Sequence, residues 1–195
     1  MRAKRTKLLE FRLEYAKKDE LSFFRKPKQP PNTKLVVVCL GDMRDYLEGL
    51  VRNLHLEGVV KFRFEFIPEE ERITYYAACD VAAFPSLYEP FGIVTLKAMS
   101  MEKPVVVGAT GTSGMREIVS ISGPDNCGFQ INPSDPSDIA WGIICATEDP
   151  KKRIQLGQNG RKRVLDLFSW EEAAKLTIEQ YSELVKPKKP RDSST

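Results

Sequence analysis

From residue 34 onward, short continuous apolar runs alternate with longer stretches in which apolar residues recur every three or four positions. Lys34 to Leu40 is apolar and rich in β-branched residues, which predicts a strand buried on both faces. Gly41 and Asp42 turn the chain, and Tyr46, Leu47, Leu50, Val51 and Leu54 then mark one face of a helix over 43–56. Val59 to Phe66 alternates in part and predicts a second strand. Pro68 opens a helix that runs to about Cys79, with Glu69, Glu70 and Glu71 complementing its dipole. Asp80 to Phe84 and Pro104 to Gly108 read as two more buried strands, separated by a turn at 85–91 and a helix from Gly92 to Met101. A Gly/Thr/Ser loop at 108–114 leads to a short helix at Met115 to Val119, and Gly128 to Ile131 is a further strand. Asp135 and Pro136 start the next helix, 150–166 forms another, and Ser169 with Glu172 has the spacing of a capping box before a last helix to Val185.

Upstream, Leu8, Leu9, Phe11, Leu13 and Tyr15 form an imperfect stripe that predicts a helix over 7–24, broken by Pro27, Pro30, Pro31 and Asn32. The expected organisation is a helical segment and Pro-rich linker at 1–33, one domain at 34–185 and a disordered polar tail at 186–195. Strand and helix alternate with short links and no internal repeat. That predicts an α/β fold, a Rossmann-like parallel sheet with helices on both faces. Ligands of such sheets bind beyond the carboxyl ends of the strands, so the loops that follow strands carry the chemistry.

Composition narrows the function. The 195 residues include 30 basic and 27 acidic side chains, a balance unlike that of a nucleic-acid binder. The basic residues that do cluster (Arg2, Lys4, Arg5 and Lys7; Lys186, Lys188, Lys189 and Arg191) read as solvated ends. There is no apolar run of membrane-spanning length and no secretory signal, so a cytoplasmic protein is expected. Cys39, Cys79, Cys127 and Cys145 lack metal-type spacing and are expected as four buried free thiols. His55 is the only histidine, expected on a helix surface, which argues against a histidine triad or a multi-histidine metal site.

Three loops follow strands and open helices: Gly41 to Met43, Pro85 to Gly92, and Gly108 to Gly114. The second crowds Ser86, Tyr88, Glu89 and Phe91 into one turn. Gly92 lets a ligand approach the amides of Phe91, Gly92 and Ile93, and unpaired amides at a helix start make an anion site. Glu89 shares that turn with a phosphate only if it faces uncharged hydroxyls of the same ligand, as a sugar would offer. The competing reading is that Glu89 merely caps the helix electrostatically, and the turn alone does not separate the two. The loop around Thr112, Ser113 and Gly114 is a second amide-rich start, equally readable as ordinary turn chemistry.

The segments Tyr75 to Val81, Pro85 to Ile93, Ala98–Met99 and Lys103 to Val107 together resemble the C-terminal domain of retaining glycosyltransferases with the two-Rossmann (GT-B) fold. The group 1 glycosyltransferases and glycogen or starch synthases are the most similar. Gly114 to Val119, Gly128 to Pro136 and Phe168 to Trp170 extend the resemblance, which runs from about Lys34 to Val185. It implies a donor-binding domain for transfer of a hexose, glucose foremost, from a UDP- or ADP-sugar to a saccharide acceptor, with no metal or other cofactor. It implies that Glu89 holds hydroxyls of the donor sugar, as the catalytic acid of the site, while amides at Phe91, Gly92 and Ile93 face the sugar and diphosphate. Tyr88 and Gly41 are further nucleotide-binding candidates.

Four departures qualify it. The family's second acid, which holds the ribose, is here Lys97, a cation that cannot accept from hydroxyls; it is expected to point to solvent or, less simply, to a phosphate. The Gly-Arg-Leu…Lys-Gly segment that neutralises the diphosphate, together with its strand, has no convincing copy between Met1 and Asn32. The acceptor-binding N-terminal domain is not in the sequence, so a separate partner domain, or self-association through the apolar stripe of 169–185, is expected. Ser113 also stands where the family often has glycine. A non-catalytic domain that binds a nucleotide sugar or glycan, or serves in assembly, is the principal alternative, and a sugar epimerase of the same architecture is the third.

Overall fold

The computed structural model describes residues 7–11 and 33–185. Six strands form one parallel sheet: β1 (Lys7–Phe11), β2 (Thr33–Val38), β3 (Val60–Arg63), β4 (Val81–Phe84), β5 (Val105–Gly108) and β6 (Gly128–Ile131). Their spatial order is β3-β2-β1-β4-β5-β6, the order of a doubly wound Rossmann sheet. The chain first builds outward from β1 through β2 to β3, then returns to β1's other side and builds outward again. The crevice where the order reverses lies between β1 and β4, whose Leu9 and Phe11 stand in register with Val81 and Ala83.

β1 corrects the sequence reading, which made 7–24 a helix and found no strand ahead of Lys34. Lys7–Phe11 is the centre of the sheet, paired to β2 and β4, so the Rossmann-like unit is not confined to 34–185. A five-residue segment with three apolar side chains carries no decisive period, and its partners rather than its own pattern select the strand. The Pro-rich stretch and the polar tail lie outside the described residues.

Period-two alternation divides the strands between two cores. Val81 and Ala83 face one side with Leu35, Val37, Val106, Phe129 and Ile131. Ala82 and Phe84 face the other with Val105 and Val107. The first core is covered by α1 (Arg44–Asn53) and α5 (Pro136–Thr147), through Leu47, Val51, Ile139 and Ile143. The second is covered by α2 (Glu69–Ala78), α3 (Ile93–Ser100) and α4 (Met115–Ile118), through Tyr76, Val94, Met99, Met115 and Ile118. Helices on both faces explain why β4 and β5 are apolar at every position and wholly buried.

The caps expected at Asp135 and Ser169 form, and Asp149 adds a third that the sequence reading did not name. Asp135 accepts from the Ser137 amide at the start of α5, and Asp149 accepts from the Lys151 and Lys152 amides at the start of α6 (Pro150–Leu167). Ser169 Oγ accepts from the Glu172 amide at 3.1 Å and caps α7 (Trp170–Val185). The thiols differ from expectation: Cys79 and Cys127 are buried, whereas Cys39 and Cys145 are only half-buried. Burial pushes the Cys39, Cys127 and Cys145 thiols upward, away from reactive thiolate. His55 is exposed as expected, but it stands past the end of α1 in a left-handed conformation rather than on a helix.

Candidate functional site

The turn after β4 and the loop after β5 are built as one unit. β4 and β5 pair side by side, and their pairing continues beyond the strands as an isolated parallel bridge between Glu89 and Ser113. The Glu89 amide donates to the Thr112 carbonyl at 3.0 Å, and the Gly114 amide donates to the Glu89 carbonyl at 2.9 Å. Glu89 is therefore held by its backbone on both sides. Its half-buried carboxylate has no hydrogen bond or ion pair among the described residues.

Two glycines make this junction feasible. Gly92 precedes α3 with φ 99°, and a Cβ there would overlap the buried Met115 side chain. A Cβ at Gly114 would overlap the carbonyl of Pro90. Both close approaches bring the two loops together, so these glycines have packing reasons beside any ligand-related one. No side chain caps the start of α3, which leaves its first amides open beside Glu89. Tyr88, Phe91 and Ile93 are more than half exposed around this point. Phe91 meets Phe168 edge-on at 6.5 Å between centroids, which ties the turn to the end of α6.

Not every sequence candidate joins this unit. Ser113 is buried, and its hydroxyl donates to the Gly108 carbonyl at 2.6 Å, so it closes its own loop. The Thr112 carbonyl is taken by Glu89, while its side chain is exposed. Gly41 follows β2, two strand positions from β4 and hence about 10 Å across the sheet. It is exposed, and nothing lies within 4 Å of where its Cβ would be.

Lys97 points neither to open solvent nor to the start of α3. Its Nζ pairs with Glu69 Oε1 at 2.7 Å, joining α3 to the first turn of α2. The hydrogen bond from Lys97 holds the Glu69 carboxyl below the usual carboxylate range. Arg72 Nη1 approaches the other carboxylate oxygen at 3.3 Å and is itself fixed by donating to the Ile67 carbonyl at 2.9 Å. Sequence reasoning missed this partner, although Glu69 was legible as a first-turn acid.

Among the described residues, no group of three or more His, Cys, Asp and Glu is placed to hold a metal, and no helix is long and apolar enough to cross a membrane.

Sheet order, switch point and open helix start define a doubly wound domain of the kind that binds nucleotide-linked ligands at its carboxyl edge. The family model of group 1 glycosyl transferases matches residues 12–163, and the chain belongs to this family. It corresponds to the C-terminal, Rossmann-like half of the two-domain GT-B architecture. An uncharacterized glycosyltransferase of Methanocaldococcus jannaschii is 38% identical over 172 residues, 87% of this chain and 43% of that protein. An MMP α-(1→4)-mannosyltransferase of Mycolicibacterium hassiacum is 31% identical over 71% of this chain and 32% of its own length. The chain thus spans less than half the length of these relatives. Sucrose-phosphate synthase from Thermosynechococcus elongatus superposes with a TM-score of 0.73 at 31% identity, covering 92% of this chain and 45% of that one. Anabaena HepE in complex with UDP-glucose superposes with a TM-score of 0.72 at 27% identity, covering 93% and 50%.

The family match begins at Arg12, the residue directly after β1. β1 itself corrects the expectation that a strand ahead of Lys34 is missing.

Proposed function

We propose that this chain is the donor-binding half of a retaining glycosyltransferase that moves a hexose from a nucleotide diphosphate sugar to a hydroxyl of a saccharide acceptor. The observation that carries the reading is the fixed turn that sets an unpartnered Glu89 carboxylate beside the open amides of α3, at the carboxyl edge of the sheet. A carboxylate accepts from sugar hydroxyls, and helix-start amides take the phosphate attached to the same sugar. Glu89 then orients the sugar, while the amides at Phe91, Gly92 and Ile93 face the diphosphate. In the transfer, the bond from the anomeric carbon to the diphosphate oxygen breaks, the acceptor oxygen bonds to that carbon in its place, and the acceptor hydroxyl's proton passes to the departing diphosphate. Negative charge grows on the departing diphosphate, where preorganised amides stabilise it most. Tyr88 and the loop at Gly41 flank the nucleotide, and the loop carrying Thr112, Ser113 and Gly114 holds the Glu89 backbone in place.

Glucose is the sugar we place first, because HepE, with 27% identity, was solved with UDP-glucose. The mannosyltransferase relative makes mannose its competitor. A glycogen synthase-like glucan acceptor belongs to the same proposal, with the acceptor held by a second Rossmann domain in the same polypeptide or a partner. Calorimetric titration with UDP-glucose, ADP-glucose and GDP-mannose tests the reading. One of the three is expected to bind in the micromolar to submillimolar range, with Glu89→Ala weakening it roughly tenfold or more through loss of charged hydrogen bonds. No binding of any at millimolar concentration, or binding indifferent to Glu89→Ala, would sink it.

A further inference from the structure

α2 and α3 both start on the carboxyl side of the sheet, and one carboxylate ties them together. Glu69 Oε1 meets Lys97 Nζ at 2.7 Å, and Glu69 Oε2 meets Arg72 Nη1 at 3.3 Å. The other first-turn and β3-edge acids behave differently. Glu65 and Glu71 both pair with Arg63, at 2.7 and 3.1 Å, which holds them at the end of β3. Glu69 is the carboxylate, among the described residues, that is bound to the helix whose start receives the phosphate in the reading above.

Two donors clamp this carboxylate without filling it. A carboxylate offers about four lone-pair positions on two oxygens, and Lys97 and Arg72 each engage one oxygen. An acceptor position remains on each oxygen, and the side chain is still 44% exposed. Two adjacent acceptors, held rigid and ionised, match the two neighbouring hydroxyls of a ribose. In dinucleotide-binding doubly wound folds an acidic residue about twenty positions after the Gly-rich loop serves the ribose in this way. The two cations also offset the repulsion that a bare carboxylate would exert on a nearby phosphate.

We infer that Glu69 accepts the ribose hydroxyls of the donor nucleotide, with Lys97 as the residue that positions it. The inference rests on the nucleotide-sugar reading and adds a specificity: the site selects ribonucleotides over 2′-deoxyribonucleotides. Lys97, which by itself cannot accept from hydroxyls, contributes by fixing a carboxylate borrowed from α2.

The test compares UDP with 2′-deoxy-UDP, and ADP with 2′-deoxy-ADP, by calorimetric titration of the wild-type chain, Glu69→Gln and Lys97→Met. The wild type is expected to prefer the ribonucleotide by roughly tenfold, the effect of one hydrogen bond to a charged group. Glu69→Gln should reduce that ratio to about twofold or less while leaving the melting temperature near that of the wild type, because the pair it breaks is solvent-exposed. Lys97→Met should lower the ratio to an intermediate value, an effect that a purely structural lysine would not produce. A ribose-to-deoxyribose ratio unchanged in Glu69→Gln overturns the inference and leaves the proposed function standing. Failure of the wild type to bind any of the four nucleotides overturns both.

Discussion

α3 and α7 are helices of opposite construction. α3 has eight residues, no side-chain cap and a left-handed glycine at its start. Val94, Thr95, Ala98 and Met99 are nevertheless buried along it, and the bonded loops of β4 and β5 grip its beginning. α7 has 16 residues and a serine cap, yet none of its residues is buried. By local signals α7 is the better helix, and by tertiary context α3 is much the better fixed. Local propensity decides whether a segment coils; neighbours decide whether it holds a ligand in one geometry. The candidate site stands on the helix with the poorer local signals.

Changes at the start of α3 should therefore be the most damaging in the molecule. Gly92→Val adds a β-branched side chain at φ 99° and drives it into Met115. Backbone strain and overpacking together should cost about 3 kcal/mol. Urea unfolding would show this as a lower midpoint at constant slope, and donor binding should disappear with it. Next comes Gly114→Ala, whose methyl group meets the Pro90 carbonyl and the Phe91 backbone. Its expected cost is about 2 kcal/mol of overpacking. It should also weaken the bonds at Glu89, so donor affinity should fall further than the lost stability explains. A Gly114→Ala protein with unaltered affinity would show that the two loops act separately.

How much of this was visible beforehand follows the same division. From residue 33 on, every strand and helix was readable, because each run is long enough to show its period or is flanked by Pro, Gly or a capping acid. Asp135 and Ser169 cap where expected. β1 was not readable: Lys7-Leu-Leu-Glu-Phe11 suits either state, and it is a strand because β2 and β4 leave a place between them. At the site, Glu89 and the glycines could be named from the turn, but the bridge from Glu89 to Ser113 could not, since it joins residues 24 positions apart. The pairing of Lys97 with Glu69 was hidden for the same reason; a helix's own pattern says nothing about the charge on the next helix.

A smaller effect separates capping from packing. Ser169→Ala removes the acceptor for the Glu172 amide, which should loosen the first turn of α7 by about 1 kcal/mol. Since α7 buries no residue, hydrogen exchange along it should speed up while the global unfolding midpoint stays in place. The equivalent loss at α6, Asp149→Ala, should lower the midpoint itself, because that helix buries Leu156, Gly157 and Gly160. If both substitutions shift the midpoint equally, α7 is part of the cooperative unit.

The smallest expected effect is the sharpest check of the contrast. Ile178 and Leu184 are 64% and 81% exposed on α7. Replacing both with glutamine removes little buried apolar surface, so the stability of the isolated chain should change by less than about 0.5 kcal/mol. The same substitutions inside a packed helix would cost several times more, as Met99→Gln on α3 should, since Met99 is fully buried. Denaturant midpoints measured at two protein concentrations separate the cases. A drop on glutamine substitution that grows with concentration would mean that a second copy covers α7 in solution. A drop independent of concentration would mean that the helix folds back on its own domain. No drop at either concentration leaves α7 as an apolar helix standing clear of the domain that carries Glu89.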